Sequence, residues 1–268
     1  MMNILLLTVN YNAEKALMDY LSSVEKSLGE VDNISLKIII ADNSNISLDL
    51  SCFSDTLDIH YVFTGKNMGY LGAVSYAIKK EQIVLTEYDY FIISNVDIMM
   101  DTSFFKVFST LNIDSHVAWI ANEIWSNEEK RDRNPKILER YTKNRLNIIL
   151  QLYKYPILDW IYKNTLYRKK TSKVELYQGK KIYAGHGSFI ILTKNFFLKC
   201  EEIAYPIFLF GEEIYLAELI KNAGMKVCYY PLLRVSDNEH VSTGRMKKKF
   251  YYKCNREAIE YLIKTFYE

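Results

Sequence analysis

A chain of 268 residues with 49% apolar and 25% charged residues can bury a full core but is too short for two independent enzymes. Its net charge of +2 gives no reason to expect a nucleic acid as partner. Cys52, Cys200, Cys228 and Cys254 have no paired spacing, which argues against a disulfide framework or a zinc site and for a reducing cytoplasm. No apolar run approaches the roughly 18 to 20 residues of a membrane span, and the residues after Met1 lack the basic flank of a signal peptide, so a soluble or peripheral protein is expected.

The first hundred residues alternate strand and helix. Asn3 to Val9 is a continuous apolar run of strand length, and Ala13 to Leu28 repeats apolar residues at helical spacing. Leu36 to Ala41, Ile59 to Phe63 and Tyr90 to Ser94 read as further strands, and Met68 to Lys80 as a helix capped by Asn67. A helix at Thr102 to Leu111 and a strand at His116 to Ala121 follow. Ile137 to Tyr167 then breaks the alternation with two amphipathic helices parted near Pro156, an insertion spanning about 125 to 180. The sheet pattern resumes at Lys181 to Leu192, Thr193 caps a short helix, an acidic helix ends at Gly224, a strand covers Lys226 to Tyr230, and a last helix spans about 246 to 267. Strands alternating with helices predict an α/β fold, a mostly parallel sheet with helices on both faces, and such sheets bind ligands beyond their carboxyl edge.

Polar groups stand where apolar strands meet loops: Thr8 and Asn10, Asp42, and Asn95-Val-Asp97. Asn95 and Asp97 fall on one side of an extended segment, where Asp97 could offer a carboxylate to a hard divalent cation. Asn67 and Gly69 precede a helix, and Gly185-His186-Gly187-Ser188 brings backbone close to a ligand or neighbour. Glu212 and Glu213 open the acidic helix, where the helix dipole favours charged carboxylates and one of them could act as general base. His240, in a polar loop, is a possible manganese ligand, with His186 its rival.

In order and spacing these motifs, together with Gly187-Ser-Phe189, Phe210-Gly-Glu-Glu213, Asn222-Ala-Gly224, Tyr230-Pro231 and Tyr251-Tyr-Lys-Cys-Asn-Arg256, resemble the family 2 glycosyltransferases of GT-A fold. The branch they are most similar to is the bacterial rhamnosyltransferase-like one, and the resemblance covers nearly all of the chain except roughly 125 to 180. It implies a single GT-A domain over 1–268 and an inverting transfer of sugar from a nucleotide-diphosphate donor to a hydroxyl of a glycan or lipid-linked glycan in surface polysaccharide synthesis. It further implies that Thr8, Asn10 and Asp42 hold the base and ribose, that Asn67 and Gly69 line the nucleotide pocket beside Asn95, and that Asp97 and His240 hold Mn2+ or Mg2+. Glu213 becomes the base, with Glu212, Gly187 and His186 on the acceptor side. Three positions depart from the family pattern: Asn95 replaces an acid, Tyr215 stands where a second Asp is usual, and Leu219 replaces an Arg.

Two alternatives stay open: a transferase-like nucleotide-binding subunit with little turnover, and a sugar-phosphate nucleotidyltransferase. The second should carry a glycine-rich loop after the first strand, which Val9-Asn-Tyr-Asn12 lacks. Between Trp125 and Lys181, fifteen cations against six acids make the segment +9 and the remainder −7. Such segregation is a solvated face or an attraction to an anionic surface, and it suggests a peripheral position on the inner face of a membrane.

Overall fold

The computed structural model of the chain describes residues 1–50, 53, 56–166, 176–238 and 247–267. In chain order its elements are β1 (Met2–Asn10), α1 (Glu14–Leu28), β2 (Ile34–Asp42), β3 (Asp58–Phe63), α2 (Tyr70–Lys80), β4 (Tyr90–Asn95), β5 (Ile98–Met100), α3 (Phe104–Thr110), β6 (Val117–Ser126) and β7 (Arg131–Asp132). There follow α4 (Lys143–Lys154), α5 (Pro156–Ile161), β8 (Lys180–Ile182), β9 (Phe189–Thr193), α6 (Lys194–Phe197), α7 (Glu212–Asn222), β10 (Lys226–Asp237) and α8 (Lys248–Phe266).

The apolar run of β1 is buried on both faces because the strand lies inside the sheet, parallel to β2 on one side and β4 on the other. Among the described residues the strand order is β3-β2-β1-β4-β9-β6-β10-β5, with β7 beside β6 and β8 beside β10. Alternate side chains of β1 feed two cores: Leu5 and Leu7 pack with α2, α7 and α8, and Ile4 and Leu6 pack with α1 and α3. Truncating a leucine in either layer to alanine should cost about 2–5 kcal/mol.

Several boundaries differ from the sequence-based expectation. The stretch from Lys181 to Leu192 is two strands: β8 pairs antiparallel with β10, while β9 runs antiparallel between β4 and β6. β10 continues past Pro231 to Asp237, with a register shift between Tyr230 and Arg234 that accommodates a proline in the ladder. β6 likewise runs five residues beyond Ala121. Val96 and Asp97 form a turn into β5, so Asn95 and Asp97 do not share a strand. Asn67 does not cap α2, which starts after Gly69, and its side chain instead accepts the Gly69 N–H; Thr193 does stand at the N-cap of α6, but its hydroxyl donates to the Val117 carbonyl rather than capping the helix. Pro156 does begin a second helix after α4, as its fixed φ and missing N–H suit a first helical position. Among the described residues no helix is long and apolar enough to cross a membrane.

Candidate active site

The topology brings distant segments to one edge of the sheet. β1, β2, β4, β6 and β10 run the same way, so their carboxyl ends share that edge. β9 is antiparallel to β4, so the loop before it arrives at the same place, and Asn95 N–H donates to the Ser188 carbonyl at 2.9 Å. α7 ends just before β10 starts, which leaves its first turn at that edge too. A cavity of about 910 Å³ opens there, a volume suited to a small organic ligand.

Of the residues the sequence singled out, Asn67, Gly69, Asn95, Asp97, His186, Gly187, Glu212 and Glu213 line this cavity. Thr8, Asn10 and Asp42 do not: they are fully buried behind its wall. Thr8 donates to the Ser94 carbonyl at 3.1 Å, while Asn10 Nδ2 donates to Asp42 Oδ1 at 3.0 Å, a pairing fixed by the β1–β2 register. Asp42 also accepts the Ser44 N–H and the Tyr61 hydroxyl, so these groups hold the loops that carry the wall. The wall itself is Val9, Tyr11 and Asn43, one position along from each expected residue. Asn43 spans the gap to α2, donating to the Gly69 carbonyl and accepting from Met68 N–H. Gly69 needs its missing side chain: its φ is +76°, and a Cβ would lie 2.0 Å from the Phe208 carbonyl oxygen.

Asp97 is held at the floor. Burial, and then the nearby Asp237 carboxylate, push its carboxyl up to about 6, against a lowering side-chain hydrogen bond from Asn95. Its Oδ1 is buried without a hydrogen-bond partner, a state that costs free energy unless something satisfies it. Arg133 from beyond β7 donates through Nη1 to Asp237 Oδ2 at 2.6 Å, beside the Asp97 carboxylate whose Oδ1 has no partner. An orphaned hard oxygen donor with a second carboxylate near it fits a divalent cation that takes its remaining ligands from phosphate and water. Among the described residues no group of three or more His, Cys, Asp and Glu gathers into an all-protein cage. The chain past Asp237 passes directly by this point, since Asn238 N–H donates to the Asp97 carbonyl; His240 lies outside the described residues.

At the other wall Glu212 and Glu213 open α7. The backbone reaches them through Phe210 and Gly211, both at positive φ, and a Cβ on Gly211 would sit 2.5 Å from the Tyr205 hydroxyl. The dipole argument fails for Glu212: burial first, then the Glu213 charge, hold its carboxyl well above the usual carboxylate range, so it carries a proton near neutral pH. Glu213 instead faces Lys136, with Nζ 3.7 Å from Oε1. Gly187 lies against both acids, and a Cβ there would meet Glu212 Cγ and Glu213 Oε1 at 3.3 Å each. The Gly187 carbonyl accepts the Tyr70 hydroxyl at 3.0 Å, tying this loop to α2. His186 is kept neutral by burial and then by Lys136 and Arg133. Ser188 N–H donates to its Nδ1, which makes that nitrogen the lone-pair one and leaves the proton on Nε2.

Sequence reasoning missed Arg133, Lys136, Asp237 and Tyr70. Arg133 and Lys136 come after β6, and Asp237 is the last residue of β10, two strands whose ends were placed too early, and strand-end position was the signal that found Asp97. Asn134 fixes Arg133 and Lys136 between them, donating to the Asn122 carbonyl and accepting the His186 N–H, so this part of the expected insertion belongs to the pocket. Tyr215 and Leu219 do not line the cavity. Tyr215 is buried on the far side of α7 with its ring 4.6 Å from that of Tyr205, and Leu219 packs against the same core.

Compared by sequence, the chain matches no protein-family model and no curated protein. Compared by structure, it is similar to S. aureus TarS 1-349 in complex with UDP-GlcNAc, with a TM-score of 0.59 at 10% identity over 99% of this chain and 67% of that one. The longer S. aureus TarS chain matches with a TM-score of 0.55 at 10% identity, over 89% of this chain and 37% of that one. GalNAc-T7 with UDP, GalNAc and Mn2+ matches with a TM-score of 0.62 at 12% identity, and there the chain spans all of itself but 49% of its counterpart. The fold is therefore that of the GT-A glycosyltransferases.

Proposed function

We propose that the chain transfers a sugar from a nucleoside-diphosphate donor to a hydroxyl acceptor with inversion, as a family 2 enzyme of the rhamnosyltransferase-like branch, acting on a glycan or lipid-linked glycan at the inner face of a membrane. One observation carries the reading: the unpartnered Asp97 oxygen and the Glu212–Glu213 pair line a single cavity at the carboxyl edge of a GT-A sheet. The similarity to proteins crystallised with UDP-GlcNAc, or with UDP, GalNAc and Mn2+, supports a nucleotide-sugar donor.

In this reading the nucleoside rests against Tyr11, Asn43, Asn67 and Gly69, with Thr8, Asn10 and Asp42 bracing the wall behind. Asp97 would hold a magnesium or manganese ion, with His240 as a further ligand, and that ion would supply positive charge to the departing diphosphate. Arg133 and Lys136 bring fixed positive charge to the same space. Glu213 takes the proton from the acceptor hydroxyl, since inversion by direct attack requires a base and no enzyme nucleophile. Protonated Glu212 donates a hydrogen bond instead, so two adjacent acids take different roles: burial and the neighbouring charge keep the proton on Glu212, while Glu213 faces Lys136.

Thermal unfolding tests the reading. UDP or dTDP with Mn2+ should raise the melting temperature, because a ligand present at a hundred times its Kd adds about 2.7 kcal/mol to the folded state. If no nucleoside diphosphate shifts the transition with or without metal, the reading fails.

A further inference from the structure

α5 leaves nearly all of its apolar side chains in water: Ile157 is 69% and Trp160 66% exposed, and Leu158, Ile161 and the flanking Tyr155 and Tyr162 are exposed beside them. A contiguous apolar surface of this kind marks a contact with something else. The residue of α5 that is buried is Asp159, whose carboxylate accepts the Tyr252 hydroxyl at 2.5 Å and so fastens α5 to the first turns of α8. There Lys247, Lys248 and Lys249 are exposed, at a helix end whose free N–H groups already carry positive charge. Helix electrostatics disfavours three lysines at that end, so their position answers to an external anion rather than to the helix.

The same turns of α8 reach the cavity. Lys247 and Phe250 line it, the Phe250 ring lies 6.0 Å from that of Phe208, and the Tyr251 ring 5.3 Å from that of Phe210. The apolar helix, the lysine cluster and the cavity mouth are thus contiguous.

We propose that this face docks on an anionic lipid bilayer. α5 lies in the interface with Ile157 and Trp160 entering the boundary between headgroups and acyl chains, and the lysines meet lipid phosphates. Charge selects the bilayer over a second copy of the chain, because two copies meeting here would bring their lysine clusters together. Resting on the transferase reading, the docked orientation turns the cavity mouth toward an acceptor whose anchor is in the membrane.

The test is sedimentation of the full chain with vesicles of phosphatidylglycerol and phosphatidylcholine, or of phosphatidylcholine alone, at low and high salt. Binding should require the anionic lipid and weaken with salt. Ile157→Glu with Trp160→Glu should reduce it on the order of tenfold or more, and Lys248→Glu with Lys249→Glu should do the same at low salt. UDP affinity measured without vesicles should be unchanged in both pairs, which also verifies that they fold. No sedimentation with anionic vesicles, equal binding to neutral ones, undiminished binding of the α5 pair, or concentration-dependent dimers abolished by that pair would each overturn the proposal. Vesicle failure with UDP binding intact removes the docking alone; vesicle binding by a protein that ignores every nucleoside diphosphate leaves the docking and removes the transferase reading.

Discussion

Lys136 Nζ lies 3.7 Å from Glu213 Oε1, so a cation from a segment without counterpart in the family resemblance stands beside the proposed base. The pair lines the same cavity as Asp97 and Arg133, which gives Lys136 two partners in turn: Glu213 before the donor arrives and a phosphate afterwards. Lys136→Met should therefore weaken UDP binding by about tenfold, equivalent to roughly 1.4 kcal/mol, while leaving uridine binding unchanged. Calorimetry with the two ligands checks this; an equal loss for both would mean that the lysine shapes the pocket rather than meeting phosphate.

Glu213→Gln keeps the size of the side chain and removes the basic oxygen. Turnover should fall by about a hundredfold or more with donor affinity within a factor of two or so. Glu212→Gln, by contrast, substitutes a neutral donor for a side chain that is already protonated, so it should cost far less. Steady-state kinetics on both variants decides whether the roles are divided in this way or reversed.

Asp97→Ala should abolish the part of UDP affinity that depends on Mn2+ and leave the metal-free part in place. The variant loses the hydrogen bond from Asn95 but also the buried, unsatisfied Oδ1 and the repulsion with Asp237, so it should remain folded with a melting temperature near that of the wild type. Identical manganese dependence in both proteins would move the cation away from this carboxylate.

How much of this was legible in the sequence follows from the kind of signal each residue leaves. β1, β2 and β4 are apolar runs ending in polar residues, and period and length alone locate them. That pattern found Asp97, because a lone acid after a buried strand stands out. It misplaced Asp237, because Pro231 reads as a strand end and only the register shift in the β10–β6 ladder reveals that the strand continues. Asn10 and Asp42 were picked as polar residues at strand ends, but the sequence carries no measure of depth: the register that pairs their side chains also takes both out of the cavity. Arg133 and Lys136 were hidden in a segment read as a charge cluster, because the cations that face the pocket and those that face water look alike in composition. Charge state is equally invisible, since the burial that raises the Glu212 carboxyl comes from segments distant in the chain, the Gly187 loop among them.

Gly187→Ala tests how closely the acids are packed. The added methyl would meet both glutamates at 3.3 Å, tighter than an ordinary contact but relieved by a small shift of their side chains. The melting temperature should change by only a few degrees, whereas turnover should drop by roughly tenfold because small displacements of a base cost rate steeply. Loss of stability without a matching loss of turnover would place the strain elsewhere.

Glu218 lies on α7 but does not line the cavity. Its side chain is 1% exposed and receives Arg140 Nε at 2.6 Å, Arg140 Nη2 at 3.1 Å and the Tyr183 and Tyr267 hydroxyls at 2.5 and 3.1 Å. Burial alone would raise its carboxyl, but the Arg140 hydrogen bonds, helped by Tyr183, outweigh it and hold the group below the ordinary carboxylate value. A folded-state value lower than the unfolded one means that the ionised form stabilises the fold. The contribution is complete above the unfolded value of roughly 4.3 and is lost as pH falls through the lowered folded one. Glu218→Gln should cost about 2 kcal/mol at pH 7, since it removes the charge and converts one acceptor oxygen into a donor facing Arg140 or two tyrosines. In urea unfolding series the gap between wild type and variant should stay constant above about pH 5 and narrow below about pH 4. A gap that widened on acidification would mean that Glu218 is protonated in the folded protein and that Arg140 is held by the Phe266 carbonyl, which accepts from its Nη2 at 3.1 Å.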